Sequence, residues 1–589
     1  MLDKIKTFLD KWGKIFLDIV IATVTYLALY SKGMFSATDV QSWLIYFVLI
    51  GVFVRTDFRK NKYKKNCIAF SGIFSFMMII GEVMYENLYS FGNNFKLLVQ
   101  PINLLYFLGI FNIFYLLFTW TLPYLLELKI SQNINAPQKA NLIFVLSAII
   151  ILLCQMPYFL NFYPGLLSND SINQLEIILD GFSNISDHHP VLHTIFIAIP
   201  YCIGFGLSNS IETGVAFSTF TQMICLSLTF AYLIKFLYER NVNKLALIMI
   251  VLFYAFLPVF GYYSVTMWKD VMFGGFLLLL TIETVKLVEK KEEDDLKLKE
   301  LFRFILVSLL CVFFRNNAIY MYMILVLATF LLPKRFWKKI LACMFFVIAF
   351  YFVIKGPIFD ALHIKKSSSA EYIGMPLQQI GRMAYKEVEF TDEDAKLLNE
   401  LIPIEELKKT YNPKLSDGIK FNSKFNVDVF NNNKLEYLKL YVSLVLKHPE
   451  IAAEAYLIST LGYWYPGVVH WTVTTEIAEN NIGLTTNPIT TPLLDKIIRA
   501  LGSRSARILT ITWSIALCFW IILIFGYITK KRKGLKYIYA FVPVFGIWAT
   551  MLLASPVYGE FRYIFGAYTC LPLFVILPFL VSKEKEYKK

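Results

Sequence analysis

Charged residues are scarce in this chain of 589 residues. Asp, Glu, Lys and Arg make up 17% of it, whereas hydrophobic residues make up 57%; a water-soluble globular chain carries about 25% charged residues. This shortage excludes an ordinary soluble enzyme. Apolar runs of about 17 to 25 residues, long enough to cross a bilayer as helices, recur from end to end between short basic loops. The composition predicts an all-α, polytopic membrane protein.

Other features are missing from the sequence as well. None of the 8 cysteines lies in the longest polar stretch, so no disulfide framework is indicated. No internal repeat or low-complexity tract is apparent. No small-residue cleavage site follows the basic N-terminal run, so we expect the first apolar segment to be a retained anchor. Because the cysteines lie in or beside apolar runs, we expect them to be packing residues.

Basic residues exceed acidic ones, 57 against 43, which gives a net charge of +14. In a membrane protein this excess marks cytoplasmic loops and does not by itself indicate nucleic-acid binding. Keeping the short basic loops inside predicts fourteen spans with both termini cytoplasmic, and assigns residues 191–207 to a juxtamembrane or re-entrant helix. The predicted spans are 15–31, 42–54, 66–84, 102–127, 141–160, 213–234, 244–261, 271–288, 302–314, 317–332, 339–356, 507–529, 537–555 and 563–581.

The predicted spans divide the chain into four parts. These are an N-terminal module of four transmembrane helices (1–130), a transmembrane core with a first outer loop at 161–190 (131–356), a mostly helical extracytoplasmic domain (357–506) and C-terminal transmembrane helices (507–589). In the outer domain, Thr391 placed three residues before Asp394 predicts a helix start. The leucine spacing over 435–446 predicts a helix that ends at His448. No inner loop is long enough for a catalytic domain, so we expect any chemistry on the outer face.

The outer loop 161–190 carries four acidic residues and neither lysine nor arginine. One of them, Asp170, precedes a predicted short helix over 171–180. Its carboxylate is expected to cap that helix, to act as a general base, or both, since a cap leaves one oxygen facing a cavity.

A second polar cluster in this loop consists of Asp187, His188 and His189, with His193 close behind. Adjacent histidines rarely chelate one ion, and the spacing lacks the pairing of a helical zinc motif. The residues therefore favour hydrogen bonds to a phosphate or sugar, or capping of the next helix, over a metal site.

Cations lie on three other outer turns. Lys269 and Asp270 are interpreted either as site residues or as a snorkelling lysine and a helix cap beside an interfacial Trp268. Glu560 and Arg562 are interpreted either as site residues or as a local salt bridge.

Arg315 and Asn316 lie at the third turn, between two legs shorter than the ~20 residues of a full crossing. Such a turn lies below the membrane surface, where irregular backbone is tolerated only in protein or beside a wet cavity. We expect Arg315 to face that cavity.

Carboxylates on one loop and cations on three others suit transfer from a lipid phosphate, because a base activates the acceptor while cations stabilise the departing phosphate. No nucleotide pocket is indicated on the cytoplasmic side, so the expected donor is a polyprenyl-phosphate sugar. The alternatives are a transporter or flippase of lipid-linked sugars, which would place polar groups along a whole path, and an envelope scaffold. Membrane lipids are expected partners, and nucleic acid is not.

Several motifs resemble those of known membrane enzymes: PGLLSNDSINQ with DHHP, TMWKDVMF, FFRNNAIY, PLQQIGRMAY and GEFRYIFG. They are similar to a family of little-characterised bacterial membrane proteins placed near the GT-C class of integral-membrane glycosyltransferases. The resemblance implies that Asp170, or as second choice Asp187, is the catalytic base. From the positions of the cations we expect Lys269, Arg315 and Arg562 to bind the donor phosphate, and we expect an envelope glycan, teichoic acid, lipid or protein as acceptor.

The resemblance alone further implies that Gln378, Gln379 and Arg382 help to enclose the donor; the alternative for these three is an exposed amphipathic helix face. GT-C proteins place the catalytic loop after their first span, whereas here it follows the fifth, so residues 1–130 resemble an added module. The loop lacks an Asp-x-Asp pair, and no metal ligand is assigned, although some relatives use a divalent ion. Two Asn-x-Ser sequons in the loop favour a bacterial plasma membrane.

Overall fold

The computed structural model of the chain describes residues 2–34, 39–58, 61–130, 135–502, 511–555 and 557–580. In this described part, regular structure is helical apart from four isolated β-bridges, so the all-α prediction is confirmed. Contacts divide the chain into two compact units. The first consists of Met1–Leu128, Ile373–Val469 and Pro556–Tyr558, and the second of Lys129–Tyr372, His470–Ser555 and Gly559–Lys589. The predicted segment 357–506 contributes to both units; its place relative to the membrane stays a prediction.

The first unit combines long apolar helices with short amphipathic ones. Gly109 allows close helix packing, because a Cβ there would lie 2.3 Å from the Cβ of Ala28. The Thr391 hydroxyl accepts a hydrogen bond from the Asp394 backbone N–H at 3.2 Å, which confirms the predicted helix start. The α-helices are Leu2–Ser31, Val40–Arg55, Lys64–Glu86, Asn94–Leu98, Pro101–Glu127, Gly374–Tyr385, Asp392–Leu401, Ile404–Thr410, Asp417–Lys420, Val427–Asn432, Lys434–Lys447 and Pro449–Ser459. The helix predicted to end at His448 does so.

The second unit is built around the Lys269–Glu289 helix, the most buried of the long apolar helices. The other α-helices of this unit are Ala140–Asn161, Asn169–Leu179, Val191–Ser208, Ile211–Tyr238, Lys244–Phe256, Pro258–Val265, Leu298–Phe314, Ala318–Leu327, Lys334–Val353, Phe359–Ala361, Pro492–Gly502, Ile515–Lys533, Val542–Ala554 and Phe565–Ile576. Short 3₁₀ turns and one π-turn, Ile354–Ile358, connect or extend them.

Two glycines bring the Lys269–Glu289 and Phe565–Ile576 helices together. A Cβ on Gly566 would lie 2.7 Å from Leu277 Cδ2 and 3.4 Å from the Cα of Gly274. The Thr569 hydroxyl also donates to the carbonyl of Gly274 at 2.7 Å. Small residues permit such close approach between membrane helices. The segments that precede the two helices therefore run beside each other.

Ten helices of the described residues are long and apolar enough to cross a membrane, or eleven if one bent pair counts as a span. This supports a multi-pass helical membrane protein. The ten are Lys11–Ser31, Lys64–Glu86, Pro101–Glu127, Pro137–Asn161, Val191–Ser208, Ile211–Tyr238, Lys269–Glu289, Lys334–Ala361, Leu535–Ala554 and Phe561–Phe579; the bent pair is Lys244–Phe256 with Pro258–Val265.

The predicted number of fourteen spans is not reproduced. Three predicted spans correspond to the shorter helices Val40–Arg55, Leu298–Phe314 and Ala318–Leu331. At 1.5 Å per residue, each is shorter than the about 30 Å of a hydrocarbon core. The predicted span 507–529 begins outside the described residues, and its described helix, Ile515–Lys533, ends in four cations. Val191–Ser208, predicted to be juxtamembrane or re-entrant, meets the length and hydropathy of a span.

Candidate active site

The start of the Asn169–Leu179 helix is fastened to the segment that leads into Lys269. The backbone N–H of Leu166 donates to the carbonyl of Val265 at 2.8 Å, and the N–H of Met267 donates back to Leu166 at 2.9 Å. The Ser171 hydroxyl donates to the Met267 carbonyl at 2.6 Å. These bonds hold two helix starts side by side, although about one hundred residues separate them in the sequence.

Asp170 lies in the first turn of its helix, where a carboxylate is stabilised by the helix dipole. The N-cap position belongs to Ser168, so the prediction that Asp170 is the capping residue is wrong by two positions. The Asp170 Oδ2 accepts a hydrogen bond from Arg562 Nη1 at 2.8 Å and lies 3.8 Å from the ammonium of Lys269. Its side chain remains one third exposed. A predicted base and two predicted phosphate ligands thus meet at one accessible place.

Arg562 connects several groups around Asp170. Its guanidinium forms an ion pair with Glu560 as well as with Asp170. It lies over the rings of Trp268 and Tyr563, at 5.5 Å and 5.1 Å from their centroids, in the geometry of a cation–π contact. These contacts fix the direction in which the guanidinium points.

The two carboxyl groups of the site have opposite electrostatic environments. Burial acts to raise the pKa of Asp170, but the charges of Lys269 and Arg562 outweigh it and hold that pKa well below its usual range. At Glu560 burial dominates, and the neighbouring Asp270 and Asp170 add to it, so its pKa is raised despite Arg562. Asp170 is therefore the more firmly ionised of the pair.

His189 is buried beside Lys269. The Lys269 ammonium and His189 Nδ1 are 3.3 Å apart, and because an ammonium can only donate, Nδ1 accepts and the ring proton resides on Nε2. Burial and the charge of Lys269 lower the pKa of His189 to about 3, so the ring is neutral. The Nε2 atom is buried and has no hydrogen-bond partner among the described residues. His188, in contrast, is exposed.

Asp270 and Arg315 form a second, more deeply buried ion pair. Their closest nitrogen and oxygen atoms are 3.0 Å apart, and both side chains are less than 10% exposed. Arg315 also donates to the carbonyl of Tyr563 at 2.8 Å and lies over the Phe273 ring. Arg315 therefore contacts Tyr563, the residue after Arg562, and its guanidinium is already paired with Asp270 and the Tyr563 carbonyl. Its role in phosphate binding stays a prediction.

Asp187 belongs to a third cluster. It forms an ion pair with Lys355, which also donates to the side-chain oxygen of Asn316 at 2.9 Å. The Asn316 amide donates to the Asp187 carbonyl at 3.0 Å. Burial raises the pKa of Asp187, although Lys355 opposes the shift. This cluster holds the loop that carries His189. The Asp187 carboxylate is paired with Lys355, and not with Lys269 or Arg562, the two cations that contact Asp170.

Gln378, Gln379 and Arg382 belong to the first compact unit, and all three are buried, so an exposed amphipathic face is excluded for them. Their partners lie in that unit. Gln378 donates to the Asn412 carbonyl and Gln379 to the Ala452 carbonyl, while Arg382 bonds to Glu454 and to the Leu88 carbonyl. Their assignment to donor binding rests on the motif resemblance.

Two features of the site were not predicted from the sequence. One is Lys355, a single cation in an apolar run before Gly356 and Pro357. A charge at membrane depth is costly, so the reasoning that singles out Arg315 could also have singled out Lys355. Trp471 packs its ring on that of Trp268, with centroids 5.3 Å apart; the sequence marks it as an aromatic residue near the base of the outer domain, and not as a site residue.

Among the residues that the structure describes, no group of three or more His, Cys, Asp or Glu side chains is arranged to hold a metal ion. The residues around Asp170 instead provide hydrogen-bond donors and cations. This set is suited to an anionic ligand.

In a comparison with known families, residues 180–589 match the Family of unknown function (DUF6020). The chain belongs to DUF6020. The match covers more than two thirds of the chain and includes Lys269, Arg315 and Arg562, while Asp170 lies ten residues before it begins. No curated protein and no solved structure matches the chain. Membership of DUF6020 brings no activity with it, so function must be inferred from the site.

Proposed function

We propose that this DUF6020 protein is a glycosyltransferase of the GT-C type. It moves a sugar from a polyprenyl-phosphate carrier to a cell-envelope glycan, teichoic acid, lipid or protein. The observation that carries the proposal is the meeting of the Asp170 carboxylate with Lys269 and Arg562, from three distant stretches of chain, at a place that remains partly exposed.

Lys269 and Arg562 are the proposed ligands of the donor phosphate. The phosphodiester of the donor carries one negative charge, and the departing polyprenyl phosphate carries two. Positioned cations stabilise the charge that develops on the leaving oxygen more than they stabilise the bound donor. Arg562 is held by Trp268 and Tyr563, so little reorganisation is needed when that charge appears.

Asp170 is the proposed base. With no donor bound, its cations keep it ionised and a weak proton acceptor. A bound phosphate neutralises part of their field, which raises the proton affinity of Asp170 when the acceptor is in place. The acceptor oxygen then bonds to the anomeric carbon, the bond from that carbon to the phosphate oxygen breaks with its electron pair, and the acceptor proton moves to Asp170.

His189 is the proposed neutral donor of this site. Its Nε2–H group is buried and unpaired within the described part of the chain, and an unpaired buried donor costs about 1–3 kcal/mol. A phosphate or sugar oxygen at this position would satisfy it. Lys269 then acts twice, as a phosphate ligand and as the group that fixes the His189 tautomer.

A transporter of lipid-linked sugars is the rival function. A transit path needs polar groups across the membrane. Between Asp270 and Glu283, the buried Lys269–Glu289 helix carries no charged residue. The charges near Asp170 and those near Glu283 are therefore separated along this helix, which favours a site at one face.

The proposed location is a bacterial plasma membrane, with both termini cytoplasmic and the Asp170 site on the outer face. This orientation follows from the distribution of basic loops. The proposed orientation counts the helices Val40–Arg55, Leu298–Phe314 and Ala318–Leu331 and the sequence-predicted span 507–529 as crossings. It does not count Val191–Ser208 as one.

The test is turnover by purified protein in lipid nanodiscs, supplied with polyprenyl-phosphate mannose or glucose and bacterial envelope extract. Release of polyprenyl phosphate is measured, because it is a product whatever the acceptor. We expect Asp170→Asn to lower the rate about 100-fold or more, since a general base contributes about 10²–10⁴.

Asp180→Asn is the matched control. Asp180 lies at the C-terminal end of the same helix and bonds to Ser183 and Asn184 at the surface, so this variant should keep the wild-type rate. Equal turnover by wild type and Asp170→Asn would overturn the assigned base. Movement of labelled lipid across vesicles with no new glycosidic bond would favour the transporter.

A further inference from the structure

A second group of charges lies at the other end of the Lys269–Glu289 helix from Asp170. The helix has 21 residues, so its ends are about 30 Å apart. At its far end, Arg240 Nε lies 3.0 Å from each carboxylate oxygen of Glu289. Lys536 reaches the same end and donates to the carbonyl of Lys290 at 3.4 Å.

The last turn of the Ile515–Lys533 helix adds four consecutive cations, Lys530, Lys531, Arg532 and Lys533. Arg532 Nε donates to the carbonyl of Pro578 at 3.0 Å. Lys533 and Lys536 both lie against the ring of Tyr537, at 4.9 Å and 5.7 Å from its centroid. These contacts gather Arg532, Lys533 and Lys536 in one place within the second unit.

Carboxylates do not balance this cluster. Glu289 is engaged by Arg240, while Lys533 and Lys536 are paired with no carboxylate among the described residues. Burial lowers the pKa of Lys533 to about 8, and the cations Arg532, Arg240 and Lys536 add to the shift although Glu289 opposes it. Excess positive charge at a half-buried place favours an anionic ligand.

The position of the cluster indicates where that anion comes from. Ile211–Tyr238, Lys269–Glu289 and Phe561–Phe579 are candidate spans that end here, and Leu535–Ala554 begins here. Ends of membrane spans lie at the level of the lipid head groups, and tyrosines such as Tyr537 are enriched there. The abundant anion at that level is the lipid phosphate, and basic pockets between membrane helices bind such head groups.

We propose that Lys533, Lys536 and the basic last turn of the Ile515–Lys533 helix bind the phosphate of an anionic phospholipid, on the side of the membrane opposite to the Asp170 site. This site is separate from the proposed transferase site, and it stands whether or not the protein transfers a sugar.

The test measures lipid binding to the purified full chain in a neutral detergent. Phosphatidylglycerol is titrated, and the thermal unfolding midpoint and the bound lipid seen by native mass spectrometry are recorded. We expect phosphatidylglycerol to raise the midpoint and phosphatidylcholine not to do so. Each cation near a membrane surface strengthens binding about fivefold, so Lys533→Gln with Lys536→Gln should weaken apparent affinity about tenfold or more.

The control replaces Lys334 and Lys338 by glutamine, which removes the same charge from two exposed positions on another helix. Both double variants must elute as wild type and unfold at the same midpoint without lipid; single substitutions serve if a double variant does not fold. An equal loss of affinity in both double variants would overturn the proposal. The proposal would also be overturned if inorganic phosphate, at the same concentration as phosphatidylglycerol, raised the unfolding midpoint equally. The site would then recognise phosphate in general and not a lipid head group.

Discussion

At the residue scale, the candidate site pairs two carboxylates with two cations. Arg562 contacts both Asp170 and Glu560, and Lys269 approaches Asp170 from the side. A phosphate that enters must therefore compete with carboxylates for Arg562. The raised pKa of Glu560 eases this competition, because its proton affinity is the higher of the two carboxyl groups. Phosphate binding and proton uptake are thus expected to be coupled.

His189 predicts how stability depends on pH. Its pKa is about 3 in the folded protein and about 6.5 in an unfolded chain. Between these values the unfolded state binds more protons, so His189 lowers stability as the pH falls below about 6.5, by up to about 1.4 kcal/mol per pH unit. We expect the thermal midpoint of wild type to fall more steeply from pH 7 to pH 5 than that of His189→Gln.

The exposed neighbour His188 supplies the control for this measurement. His188→Gln should retain the wild-type slope of midpoint against pH, because it removes an exposed ring and leaves the buried His189 in place. Identical slopes for wild type and His189→Gln would contradict the neutral, buried state of His189. The comparison uses slopes because either substitution can shift the midpoint itself.

At the scale of elements, the site depends on the turn between Pro258–Val265 and Lys269–Glu289. Gln222, on the Ile211–Tyr238 helix, places its amide nitrogen 2.9 Å from the carbonyls of both Ser264 and Thr266. Ser264 lies in the last turn of the Pro258–Val265 helix and Thr266 is its C-cap residue, so neither carbonyl has a partner within that helix. One buried amide thus fixes the turn that leads to Trp268 and Lys269.

We expect Gln222→Leu to lower both the stability of the protein and the rate of the proposed sugar transfer. The substitution removes two buried hydrogen bonds. It leaves the Ser264 carbonyl unpaired, at a cost of about 1–3 kcal/mol, while the Thr266 carbonyl keeps the bond from the Trp268 backbone N–H. Displacement of Lys269 should raise the KM for the proposed donor. Thermal unfolding and polyprenyl-phosphate release measure the two effects.

Gln155→Leu is the comparison. The Gln155 amide is also buried and donates to one carbonyl, that of Tyr254, at 3.2 Å. This variant should lose stability while its KM stays at the wild-type value. If both variants changed the KM equally, Gln222 would have no special role in placing the turn.

At the scale of the whole molecule, charges at the two ends of the Lys269–Glu289 helix belong to different membrane faces in the proposed orientation. Asp180 is near the candidate site, and Glu293 is in the connector after this helix; both are exposed. We expect a cysteine at position 180 to react with a membrane-impermeant maleimide in intact cells, and one at position 293 only after permeabilisation.

The background for this labelling carries Cys202→Ser, since Cys202 is exposed while the other seven cysteines are not. Labelling of both positions after permeabilisation shows that each is reactive. The opposite pattern would invert the orientation, and labelling of both in intact cells would contradict a helix that crosses the membrane between them.

Local patterns were sufficient for the helical membrane class, for the Thr391 helix start and for the helix that ends at His448, because each depends on residues within a few turns. The cost of charge at membrane depth is enough to single out Lys269, Arg315 and Arg562 from the sequence. The number of spans was not accessible in this way, since an apolar run does not show whether its helix is long enough to cross.

Only the tertiary structure decided which charges meet. Arg562 reaches Asp170 across 392 positions of sequence, whereas Arg315 is committed to Asp270 and Asp187 to Lys355. Composition and periodicity report the free energy of placing a residue in lipid or water, and this can be read locally. Which charges form ion pairs depends on how distant segments pack together, and neither composition nor periodicity carries that information.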